Sequence, residues 1–275
     1  MRVLKIDEIT YQLPESWNEL SIDQLIYLAN LTKKNINVSE LKVKLLFYCL
    51  HANVFMIKRT PEPVYKLQIG KNSHVVSSEQ VVLISNYFDF LVKSSKDDKI
   101  YIAPQLFKSP WKQFPCGCHK SLDYPGDGLS EITLIEITYL QTLQSSFKTN
   151  YSGNLDKMIG ILFRDRNKPF DSKNINKYAE DVRKASPNVK TIAYWFYVGS
   201  MDYIASQFKY VFKNNSPSSK QIQNIFKRQL ELAVELADND VTKIEEVNKT
   251  LYYTVLYRLD KTNRDAELKP QNHGL

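Results

Sequence analysis

The chain says nearly the same thing twice. "LSIDQLIYLANL" at 20–31 and "ITLIEITYLQTL" at 132–143 each set a hydroxyl three places ahead of an amide or acid, Ser21 before Gln24 and Thr133 before Glu136. This spacing marks a helix start: the hydroxyl accepts from a free N–H of the first turn, and the later side chain reaches back to the cap. An apolar run follows in both, with Tyr27 and Leu28 in one and Tyr139 and Leu140 in the other. The likeness extends into a second helix. "ELKVKLLFYCL" follows the first copy and "NLDKMIGILFR" the second, with Leu155, Ile159 and Leu162 in the roles of Leu41, Leu45 and Tyr48. Duplicated helix pairs over 21–50 and 133–164 are expected to stack and bury faces that neither could bury alone.

A chain of 275 residues that is 43% apolar can bury a substantial core. It holds eight glycines, few for a many-turned β-sandwich or a glycine-rich phosphate loop. The expected fold is therefore mainly α: a helical bundle with two repeated helix pairs and a small β element, its short strands near 3–13, 64–76 and 99–107. "VYKLQIGKNSHVV" reads as strand, turn, strand. Residues 108–129 carry three prolines and three of the glycines, and read as a linker loop. The division is then 1–107, a helical repeat with strands; 108–129, the linker; 130–263, a second repeat with long aromatic-rich helices; and 264–275, a frayed tail. Ile244, Val247, Leu251, Val255 and Leu259 recur at helical spacing, predicting one long helix near the end. Neither "LLFYCLHANVFMI" nor "TIAYWFYVGSMDYIA" is suited to span a bilayer, and no secretion signal opens the chain. No membrane partner is expected.

The net charge of +7 is scattered among acids, as on solvated helix faces, so nucleic acid is the less favoured partner. Cys116, Cys118 and His119 form one soft cluster, but tetrahedral zinc needs a second pair of ligands, and no metal is expected. Cys49 completes no disulfide framework, which points to a reducing compartment. None of His51, His74, His119 and His273 neighbours a serine or cysteine in a way that suggests a base. Asp97–Asp98 and Glu245–Glu246 read as solvated charge, and "GKNS" at 70–73 lacks the first glycine of a phosphate loop. No catalytic or cofactor-binding residue is assigned. Four consecutive aromatics, Tyr194, Trp195, Phe196 and Tyr197, span every direction of a helix. Either neighbours bury the helix on several sides, or part of the block meets a partner. Tyr194, Trp195, Tyr197, Tyr252, Tyr253 and Tyr257 are the candidate partner-binding residues.

Several motifs occur in a fixed order: "LPESW" before the capped helix, "NLDKMIGILFR" in the second copy, Pro169-Phe170-Asp171, and "AYWFYVGSMDYI". Over roughly 13–212 this order resembles phage and prophage proteins of Bacteroidetes-type hosts, tail assembly chaperone-like or minor virion structural proteins. The resemblance implies a non-enzymatic morphogenesis role, with phage tail or connector proteins as partners and a place in the virion or the host cytoplasm during assembly. A homo-oligomer fits the same role. A nucleic-acid-associated connector or DNA-binding protein is the alternative. The two long helices after residue 216 lie outside the resemblance.

Overall fold

The computed structural model describes residues 1–59, 62–95, 97, 100–116, 122–213 and 225–268. Among them 56% are helical and 16% lie in strands, forming eleven helices and three small antiparallel sheets. The fold is mixed α/β, which corrects the expected mainly helical bundle. The chain divides into two compact units, Met1–Leu106 and Phe107–Leu275. No helix among the described residues is long and apolar enough to cross a membrane.

The first unit holds the seven strands found among the described residues. β1 (Arg2–Ile6) and β2 (Ile9–Leu13) form a hairpin, turning at Asp7 with φ of 54°. α1 (Ile22–Leu31) starts at the Ser21–Gln24 box, both of whose hydrogen bonds are present. α2 (Val38–Cys49) starts at Asn37, whose side chain accepts from Glu40 N. The apolar stretch beginning in α2 then changes structure. His51 takes a left-handed φ of 50°, and β3 (Ala52–Lys58) follows. β3 pairs with β4 (Val64–Ile69), and β4 with β5 (Asn72–Ser77) through a turn at Gly70, φ 60°. α3 (Ser78–Ser85), β6 (Val92–Ser94) and β7 (Ile100–Ile102) complete the unit. The mainly α expectation failed chiefly at β3, because a short apolar run reads equally as helix or strand.

Leu25, Leu28, Leu45, Leu67, Phe88 and Leu91 form the centre of this unit's core. Trp17, from "LPESW", is buried and donates its indole N–H to Phe90 O at 3.2 Å. Tyr27 stacks on Tyr48 at 4.0 Å between ring centres and joins α1 to α2.

The second unit is helical: α4 (Leu134–Ser145), α5 (Tyr151–Leu162), α6 (Ile175–Val182), α7 (Pro187–Gln207), α8 (Lys209–Phe212), α9 (Ile225–Leu236), α10 (Ile244–Lys249) and α11 (Tyr252–Leu268). Both copies of the repeat thus fold as a capped helix followed by a second helix, each within its own unit. The stretch expected as a linker contributes to the second unit's core: Trp111, Phe114, Cys116, Leu122 and Leu129 are buried. The single long terminal helix is interrupted. Leu134 N donates to Thr250 O and Tyr252 N to Ile132 O, so the backbone at 250–252 pairs with the start of α4. Leu251 is consequently exposed, while Tyr252, Val255 and Leu256 are buried. Residues 264–268, placed in the frayed tail by the sequence, belong to α11.

Candidate functional site

The motif residues have structural work. In the second copy, Glu136 is fully buried, and its Oε2 accepts from Thr133 N at 2.9 Å and Thr133 Oγ1 at 2.8 Å. Its Oε1 accepts from Arg164 Nε at 2.7 Å and Arg166 Nη1 at 3.0 Å. Arg164, the last residue of "NLDKMIGILFR", also donates to Asp165 O and Lys168 O, fixing the loop after α5. Phe170 lies against Tyr139 and Tyr178, and Asp171 caps the turn that follows it. These contacts explain the motif as scaffold rather than chemistry.

The aromatic candidates also serve mainly as scaffold. Trp195, Tyr197 and Tyr252 are buried, Tyr194 and Tyr253 are half-buried, and Tyr257 is exposed at 68%. Tyr197 OH donates to Gln144 Oε1, and Gln144 Nε2 donates to Tyr194 OH. Tyr253 OH donates to Gly128 O. Burial pushes the Tyr197 and Tyr252 phenols well above their usual range, and Tyr253 up to about 12. Side chains sealed in the core cannot reach a partner, which leaves Tyr257 as the fully exposed member of the set.

Two arrangements bear on catalysis. His74 is buried, with Nδ1 at 2.6 Å from Asp7 Oδ2 and Nε2 at 2.7 Å from Tyr11 OH. Both ring nitrogens are thus engaged, and these contacts fasten the β1–β2 hairpin to β5. In the second unit a cleft of about 600 Å³ is lined by Asp123, Asp165, Lys168, Lys177, Tyr178 and Asp181, among others. Its acids are engaged: Asp123 accepts from Arg166 N, and Asp165 pairs with Lys168 at 3.0 Å, which holds its carboxyl below the usual range. Opposite charges interleave around the cleft and set up no field of one sign. Cys118 and His119 lie outside the described residues, and Cys116 is buried. Burial pushes the Cys49 thiol up to about 12, so it is a poor nucleophile near neutral pH.

The feature that sequence reasoning missed is β3. It sits at the edge of its sheet, with no strand partner on its outer side among the described residues. Val54, Phe55, Met56 and Ile57 are all exposed, the last three by more than half. The register places Phe55 beside Lys66 and Val75 on one face, and Val54 beside Leu67 and His74 on the other. Leu67, Ile69, His74 and Val76 are buried on that second face, so β4 and β5 cover the core while β3 overhangs it. A register shift at Ile57 leaves Ala52–Met56 as the regular edge. At its start lies a shallow hollow of about 430 Å³, lined by Tyr27, Lys44, Phe47, Tyr48, His51, Ala52 and Asn53. No residue of β4 lines this hollow. The available signal was the four-residue apolar run itself, whose exposure depends on strand order.

No protein-family model, curated protein or solved structure matches the chain.

Proposed function

We propose that this protein acts by docking to other proteins rather than by catalysis, as a tail assembly chaperone or a minor tail or connector component in phage morphogenesis. The phage assignment rests on the ordered motifs of residues 13–212. The docking assignment rests on one observation, the exposed apolar edge of β3. Proteins normally blunt or cover such an edge, because its free N–H and C=O groups template pairing with another chain. An uncovered apolar strand is therefore best read as a surface awaiting a partner. The engagement of Asp123 and Asp165 in the cleft, and of both His74 ring nitrogens, supports the same reading.

Co-expression with the tail and connector proteins of the same phage, followed by size-exclusion chromatography at low and high salt, tests this reading. A complex that persists in high salt supports it, since apolar burial and backbone pairing resist screening. Binding to DNA that falls steeply with salt, with no protein complex, would replace it with the connector-DNA alternative. Mass spectrometry of purified particles then separates a resident of the virion from a cytoplasmic helper.

A further inference from the structure

We infer that the β3 edge takes an extended segment of another protein as an added strand, with an apolar residue seated in the hollow and acidic residues at the opposite end. The inference rests on the docking reading and names the partner's chemistry. Strand addition draws affinity from main-chain hydrogen bonds and specificity from side-chain pockets. Both are present: a regular edge over Ala52–Met56, and the aromatic hollow of Tyr27, Phe47 and Tyr48 where that edge begins.

Charge decides between occupants. Lys58 and Arg59 follow the apolar run, and Lys66 stands beside Phe55 on the outer face. All three are exposed and in no ion pair among the described residues. A second copy pairing antiparallel would lay its Lys58 and Arg59 near His51 and Lys44, and parallel pairing would set basic ends together. Terminal lysines of this kind discourage self-pairing of edge strands. They attract an acidic segment instead. Antiparallel addition, the slightly stronger geometry, sets the segment's acidic N-terminal end over Lys58 and Arg59 and its apolar C-terminal residue over the hollow.

The probe is a capped synthetic nonapeptide with two aspartates at its N-terminal end, alternating valine and threonine, and a phenylalanine near its C-terminal end. Its binding to the full chain is followed by fluorescence anisotropy. Saturable binding is expected. It should weaken about tenfold in the double variant Lys58→Glu, Arg59→Glu, which should then favour a peptide carrying lysines in place of the aspartates. N-methylation of alternate peptide amides should abolish binding, because it removes the donors that meet the edge. Equal binding of the methylated peptide, indifference to the charge reversal, or no binding overturns the inference. So does a micromolar dimer of the chain that Phe55→Lys dissolves, which would identify a second copy as the occupant. If a tail-protein complex forms yet survives the charge reversal, docking stands and this strand addition falls. If no complex forms, the docking reading itself falls.

Discussion

Arg164 Nε donates to Glu136 Oε1 across 2.7 Å, with both side chains almost wholly withdrawn from solvent. The pair ties Arg164, two residues beyond the end of α5, to the capping box of α4. Arg166 shares the same carboxylate oxygen, while its own Nε is buried without a partner. Burial lowers the Arg166 guanidinium below its usual value, Glu136 opposes that effect, and the neighbouring Arg164 adds to it.

Glu136→Gln would remove the carboxylate that the Arg164 and Arg166 guanidinium groups share. We expect a loss of about 3–5 kcal/mol, the range for breaking a buried pair from one side. The first copy carries Gln24 and Leu50 at the matching positions, an uncharged solution to the same join. Glu136→Gln combined with Arg164→Leu imports that solution and should recover part of the loss. Urea unfolding of the three proteins checks this. A single variant within about 1 kcal/mol of the parent would show that the cluster is not holding the helices.

Gly160 lies where α5 meets α6. A Cβ there would stand 2.5 Å from Tyr178 C and O and 2.8 Å from Ala179 N, and backbone cannot rotate aside. Gly160→Ala should therefore cost about 1–3 kcal/mol through overpacking, despite alanine's better helix propensity. Thermal unfolding gives the sign directly, since an unstrained site would instead be stabilised.

Local chemistry was legible in the sequence, and strand order was not. Ser21 with Gln24 and Thr133 with Glu136 announced their helices because a cap is decided within four residues, and both boxes form. The turn at Gly70 was visible between alternating runs. β3 was not, because "NVFMI" carries no period that separates strand from helix, and the switch depends on His51 adopting a left-handed backbone. The break at Leu251 escaped notice because its cause, pairing with Ile132 and Leu134, lies more than a hundred residues away. The burial of Trp195, Tyr197 and Tyr252 was hidden by the same limitation: amphipathic spacing reveals a helix, but the number of neighbours around it comes from the tertiary fold.

Alkaline pH should destabilise the protein. Burial raises the Tyr197 and Tyr252 phenols, and Tyr253 stands at about 12. Each keeps its proton longer folded than unfolded. Their contribution is thus fully present below the unfolded value of about 10 and is lost as pH rises through the folded values. Tyrosinate absorbance should rise in two phases, exposed phenols first and the buried set only with loss of helical circular dichroism. A single phase complete before unfolding would contradict the burial of α7's aromatics.

The β3 edge and the strand beside it should respond oppositely to substitution. Phe55 and Ile57 are 57% and 56% exposed, so replacing them with threonine surrenders little buried area. Threonine is β-branched and suits a strand, so Phe55→Thr with Ile57→Thr should stay within about 0.5 kcal/mol of the parent. Leu67 on β4 is 1% exposed and faces the core. Leu67→Ala should cost about 2–5 kcal/mol, combining lost transfer energy with the cavity left behind. Urea midpoints separate the two cases. Hydrophobic-interaction chromatography adds the second half of the test: the threonine pair should elute earlier than the parent, because the apolar surface it removes faces solvent. A large stability loss on converting Phe55 and Ile57 would mean that something in the fold already covers them, and that the edge is not free for a partner.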